Sequence, residues 1–132
     1  MKVLRINPDE YDGKINFVDE NNVFVGFEYS AACCENFAYT LSFEQPTHSV
    51  DFGEIPEENE KDFDLEGYAF DTSYIKEFTS DSLDEGRAVT FKLTKQGQPD
   101  IYLTLFNCQN GYYGHGFEFI KEGTFEIVTG VI

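Results

Sequence analysis

The chain has 132 residues, the size of one domain, and its apolar set is rich in rings, with 14 Phe and 8 Tyr, no Trp and one Met. Its 25 Asp and Glu against 9 Lys and Arg give a formal net charge of −16, which argues against direct binding to DNA, RNA or an anionic membrane surface, since those partners need Lys and Arg to neutralise their phosphates. No apolar run is long enough to span a bilayer, no apolar signal region follows the first basic residue, and three cysteines cannot all pair within one chain, so a single cytoplasmic domain over residues 1–132 is expected.

In chain order, Met1–Ile6 reads as a short apolar strand. Lys14–Val18 and Val23–Tyr29 flank the polar turn Asp19-Glu20-Asn21-Asn22, the pattern of a hairpin. Phe37, Tyr39, Leu41 and Phe43 recur at every second position, which places them on one sheet face. Gln45–Glu66 contains Pro46 and Pro56 and is acidic almost continuously from Glu54, so an acidic, loop-rich segment is expected over residues 45–70.

The spacing of Tyr74, Ile75 and Phe78 predicts a short helix within Asp71–Glu85, with Asp71, Thr72 or Ser73 as its N-cap. Ala88–Thr94 and Asp100–Asn107 then alternate as strands (Val89, Phe91, Leu93; Ile101, Leu103, Leu105) around a loop that contains Gly97. Asn110-Gly111 is a two-residue turn signal leading into Tyr112–Ile120, and Thr124–Ile132 follows. Aromatic residues suit a pleated, half-buried surface. The expected fold is mainly β (α+β): an antiparallel, strongly curved sheet or partial barrel with one short helix.

The charge is not spread evenly. Residues 1–50 carry 3 basic and 8 acidic side chains, residues 51–85 carry 2 and 13, and residues 86–132 carry 4 and 4. The acidity therefore belongs to the middle of the chain.

Sites for chemistry are sparse. Cys33 and Cys34 are adjacent, so on a strand they point to opposite faces and cannot easily clamp one ion, and structural zinc expects paired spacings that are missing. Small buried apolar residues are the plainer reading. A cysteine nucleophile, from among Cys33, Cys34 and Cys108, needs a histidine base, and only His48 and His115 exist, with no local protease signature around them. Asp62-x-Asp64-x-Glu66-Gly67 resembles the start of a calcium loop, but Ser73 stands where the bidentate Glu is required. No metal, cofactor or catalytic residue is expected.

Asn107–Phe117 is the most distinctive stretch. If Tyr112–Phe119 is a strand, Tyr113, His115, Phe117 and Phe119 share one face, and Gly114 and Gly116 leave the other bare. Tyr112, Tyr113 and His115 are the candidate ligand surface, set against a purely structural role for this hairpin.

Two of these stretches, Cys33-Cys34-Glu35-Asn36-Phe37 and Leu103–Gly114 with its Asn110-Gly111-Tyr112-Tyr113, together resemble an uncharacterised family of small phage and bacterial proteins, domain of unknown function 7448. The resemblance covers residues 13–45 and 86–119 and leaves out the acidic middle. Ala32 stands where the family has an acidic residue, and Gly114 where serine is common. It implies a phage or mobile-element context and carries over no activity and no catalytic residue.

The leading expectation is an acidic, non-catalytic inhibitor or binding protein for a basic macromolecular partner: an immunity protein against a nuclease toxin, or a phage counter-defence protein that mimics nucleic-acid charge against a nucleic-acid-binding defence protein. Its contacts would be Glu54, Glu57, Glu58, Glu60, Asp62, Asp64 and Glu66, with exposed Phe63 or Tyr68 as aromatic anchors. The alternatives are a small-molecule-binding or enzymatic domain using Tyr112, Tyr113 and His115, and a phage structural or accessory component whose charge serves only solubility.

Overall fold

The computed structural model describes residues 1–6, 13–28, 36–83, 86–108, 115–121 and 126–132. Nine strands lie among them: β1 Lys2–Ile6, β2 Lys14–Val18, β3 Phe24–Glu28, β4 Asn36–Ser42, β5 Ala69–Phe78, β6 Ala88–Thr94, β7 Ile101–Cys108, β8 Gly116–Lys121 and β9 Glu126–Val131. They form two sheets in the orders β1-β2-β3-β8-β9 and β4-β7-β6-β5, and every pairing is antiparallel. In the second sheet β5, β6 and β7 form a meander and β4 returns beside β7, a Greek-key order whose long connection is residues 43–68.

Local chemistry sets the hairpins. Between β2 and β3 the Asp19 carboxylate accepts the backbone N–H groups of Asn21 (2.9 Å) and Val23 (3.0 Å), and Asn22 takes the left-handed conformation at φ 57°, which asparagine tolerates better than most residues. The other Asp19 oxygen accepts the N–H of Phe70 in β5 at 2.9 Å, joining the first sheet's turn to the second sheet. Between β6 and β7, Gly97 supplies φ 76° and the register sets Leu93 opposite Ile101.

The expectation of one curved sheet or partial barrel gives way to two sheets sharing one core. Each sheet carries its own apolar face, with Ile15, Phe17, Val25, Phe27, Phe117 and Phe119 on the first and Phe37, Tyr39, Leu41, Phe91, Leu93, Leu103 and Leu105 on the second. Stacking these faces buries both without closure. Edge-on ring contacts cross the interface, among them Phe17 to Tyr39 at 5.3 Å, Phe91 to Phe119 at 5.2 Å and Phe70 to Phe119 at 5.7 Å. Such pairs add about 0.5–1.5 kcal/mol each beyond area burial.

The helix predicted in Asp71–Glu85 does not form over its described residues, 71–83. β5 runs to Phe78, and a 3₁₀ turn at Asp81–Leu83 follows. Phe70 pairs with Leu93 and Ile75 with Phe91, so Asp71–Tyr74 bulge out opposite Lys92. The bulge gives inward-facing residues an odd spacing, which breaks the period-2 signal and imitates a helical one. Phe43 also departs from its expected face: it follows the end of β4 and is 59% exposed, while Phe37, Tyr39 and Leu41 are buried.

A second, smaller core lies on the outer side of the second sheet. Phe52, from the long connection, is buried with Ala38, Leu83, Ala88 and Phe106, and Val50, Ile55 and Phe78 pack against them. The Phe52 and Phe106 rings are 4.7 Å apart. Among the described residues no helix is long and apolar enough to cross a membrane.

Candidate functional site

The acidic segment is fixed to the second sheet along its length. At its start, the hydroxyls of Ser80 and Ser82 donate to the Val50 carbonyl (2.7 and 3.1 Å), and the Phe52 N–H donates to Ser82 Oγ (3.0 Å). At its centre it covers the free edge of β4. The Glu58 N–H donates to the Tyr39 carbonyl at 2.9 Å. Asn59 then treats Leu41 as a neighbouring strand would, its Oδ1 accepting the Leu41 N–H at 2.7 Å and its Nδ2 donating to the Leu41 carbonyl at 2.9 Å. An edge strand otherwise presents unpaired backbone groups that invite another chain, and here a side chain closes the ladder.

The next residue forms a half-buried polar knot. Arg5 Nη2 donates to Glu60 Oε1 at 2.8 Å and to Tyr39 Oη at 2.7 Å, and Tyr39 Oη–H donates to Glu60 Oε2 at 2.7 Å. Tyr39 is fully buried, and burial together with the hydrogen bond to Glu60 pushes its phenol well above the ordinary tyrosine range. For Glu60, burial alone raises the carboxyl, but the hydrogen bonds from Tyr39 and Arg5 outweigh it and hold the group below its ordinary value. The knot joins β1, β4 and the 3₁₀ turn at Glu60–Asp62.

Beyond the knot, Leu65 and Tyr68 enter the main core. Tyr68 Oη–H donates to the Pro99 carbonyl at 2.8 Å, and Lys95 Nζ donates to the Glu66 carbonyl at 2.8 Å. The Asp64 carboxylate accepts the Glu66 N–H at 3.1 Å and shapes the turn before β5.

These contacts divide the expected binding residues. Glu54, Glu57, Asp62, Asp64 and Glu66 are exposed, while Glu58 and Glu60 are half-buried; the Glu60 carboxylate is spent internally on Arg5 and Tyr39. Tyr68 is not an exposed anchor, since it is only 5% exposed and its hydroxyl is committed to Pro99. Phe63 is half-buried against the main core, with its ring 5.0 Å from that of Phe43. The Phe43–Phe63 pair is the aromatic surface within the segment, and Asn59, Arg5 and Tyr39 are the positioning residues that the sequence did not single out.

His115, the described member of the second candidate surface, is 4% exposed and faces the core. Its ring stacks on Phe37 at 4.3 Å and 7°, its Nδ1 lies 3.1 Å from the Glu28 carbonyl, and its backbone exchanges hydrogen bonds with Ile132. Tyr112 and Tyr113 lie outside the described residues, as do Gly114 and the Cys33-Cys34 pair. Gly116 stands on the opposite face from His115, where it and Gly26 border a cavity of about 210 Å³ with Lys14, Asn16, Glu28 and Glu118. Cys108 is half-buried, its Sγ 3.5 Å from the Ser82 carbonyl, and His48 is exposed. Among the described residues no three His, Cys, Asp or Glu side chains converge as a metal set would.

No family model, curated protein or solved structure matches the chain. The function must therefore be argued from the site itself.

Proposed function

We propose that this chain is an acidic, non-catalytic binding protein that neutralises a basic macromolecular partner in the cytoplasm, as a toxin-immunity protein or a phage counter-defence protein does. One observation carries the reading: the exposed carboxylates of Glu54, Glu57, Asp62, Asp64 and Glu66 project from a backbone that Phe52, Asn59, Glu60 and Leu65 hold in place. Pre-ordering the segment lowers the entropy lost on association, and a dense field of one sign accelerates encounter with a basic surface.

The test compares two variants of equal charge. One neutralises the segment (Glu54→Gln, Glu57→Gln, Asp62→Asn, Asp64→Asn); the other removes four exposed carboxylates elsewhere (Glu20→Gln, Asp81→Asn, Asp100→Asn, Glu118→Gln). Proteins retained from a lysate of the producing cell by the unaltered chain should elute at lower salt from the first variant and at unchanged salt from the second. Equal shifts in both would mean that only total charge matters, which contradicts the proposal.

The small-molecule alternative would have to use the cavity at Gly26 and Gly116, whose volume of about 210 Å³ lies below the roughly 300–1,000 Å³ usual for such sites. It would place the ligand on the outer face of the first sheet, away from His115.

A further inference from the structure

A cavity of about 190 Å³ lies where the start of the acidic segment crosses the outer face of the second sheet. Thr40 and Ser42 of β4 line it from the sheet side, and Pro46, Val50, Ile55 and Pro56 line it from the segment. Sites for whole small molecules or cofactors usually enclose about 300–1,000 Å³; this one has room for a single aliphatic side chain. Its walls are pre-set, because the Val50 carbonyl is held by Ser80 and Ser82 and the neighbouring Phe52 is buried beneath the segment.

Charge identifies what kind of chain would bring that side chain. From Phe43 to Glu60 there is no Lys or Arg, whereas Glu44, Asp51, Glu54, Glu57, Glu58 and Glu60 all occur there. Glu44 itself lines the cavity, and Glu54 and Glu57 flank the lining residues Ile55 and Pro56 in sequence. An apolar group entering here is met by carboxylates on either side, so its own neighbours must be cationic to be accepted.

We propose that this cavity is the anchor pocket of the acidic surface and receives one leucine- or methionine-sized side chain of the basic partner, flanked in the partner by Lys or Arg. The proposal rests on the binding reading above and adds what charge alone does not provide. Exposed charges set encounter rate and are screened by salt; a desolvated apolar anchor in a pocket sets residence time and persists at high salt. The partner segment is thus amphipathic over a few residues rather than uniformly basic.

Two blocked peptides of equal charge provide the probe, acetyl-Arg-Leu-Arg-Lys-amide and acetyl-Arg-Ser-Arg-Lys-amide, titrated into the isotope-labelled full chain and followed by amide chemical shifts. The leucine peptide should bind about tenfold tighter or more, the factor expected from burying one aliphatic side chain, with shifts at Ser42, Val50 and Ile55. Val50→Phe, which fills the cavity, should remove that advantage and leave the serine peptide unchanged. Ile55→Ala, which adds no bulk and so guards against a folding failure of the first variant, should weaken the leucine peptide alone. Equal affinities, with shifts confined to the exposed carboxylate residues, would overturn the pocket and leave the acidic surface standing. No binding of either peptide would overturn both.

Discussion

Asn59→Ala probes the fixing of the acidic segment most cleanly, because one side chain satisfies both backbone groups of Leu41 on the edge of β4. The substitution strands a donor and an acceptor that Asn59, itself 9% exposed, now covers. Each buried polar group left without a partner costs about 1–3 kcal/mol, and since an edge admits some replacement water the expected total is about 2–4 kcal/mol. For a domain of this size that corresponds to a fall in Tm of roughly 8–16 °C, taking about 4 °C per kcal/mol. Asn59→Asp should cost at least as much, because it keeps the acceptor for the Leu41 N–H but turns a carboxylate toward the Leu41 carbonyl. Glu54→Gln, at an exposed position, should stay within about 0.5 kcal/mol of the unaltered chain. The assay is urea and thermal unfolding of all four proteins. If Asn59→Ala were as stable as Glu54→Gln, the segment would not be fastened at this point and the account of a pre-ordered acidic surface would fail.

Three further outcomes follow from the same geometry. Glu60 has its carboxyl held below the ordinary value in the folded state, so its contribution is complete above the unfolded glutamate pKa of about 4.3 and is lost as pH falls through the lower folded value. The stability gap between the unaltered chain and Glu60→Gln should accordingly be flat from neutral pH down to about 5 and narrow below about 4.3; a gap independent of pH would contradict the knot. Gly86→Ala should be severely destabilising, since a Cβ there would overlap the Asn107 carbonyl oxygen, and an alanine variant of near-native Tm would refute that close approach. Tyr68→Phe should cost about 1 kcal/mol by losing the hydrogen bond to Pro99, without changing the affinity for a basic partner; a loss of affinity at unchanged stability would restore Tyr68 as a contact.

The strands were legible where one face is buried and the chain alternates without interruption. Val89, Phe91 and Leu93 against Ile101, Leu103 and Leu105 is the clearest case, and the observed register sets these two rows side by side. The Asp19–Asn22 turn was legible for the same reason, with a polar break between apolar runs. Alternation misled at β5, where the bulge at Asp71–Tyr74 resets the phase and Tyr74, Ile75 and Phe78 fall at helix-like intervals. The division into two sheets was hidden because each strand's pattern records that one side is buried, not what covers it.

The candidate site was legible as a composition and not as a geometry. Glu60 looks like its acidic neighbours in sequence, yet its carboxylate is consumed by Arg5 and Tyr39, partners 55 and 21 positions away. Asn59 reads as one polar residue in a polar loop, and only the placement of β4 at a sheet edge gives its amide a task. Tyr68 reads as a surface ring because it follows an acidic run, but β5 begins at the next residue and draws it into the core.

The central claim is that the fixed, exposed carboxylates of residues 54–66 meet a basic partner. It is tested most directly by the association rate of the captured partner across a salt series, with the unaltered chain, the segment-neutralised variant and the charge-matched variant side by side. Association with the segment-neutralised variant should be slower and less dependent on salt, while the charge-matched variant follows the unaltered chain. Identical salt slopes for all three would contradict the account.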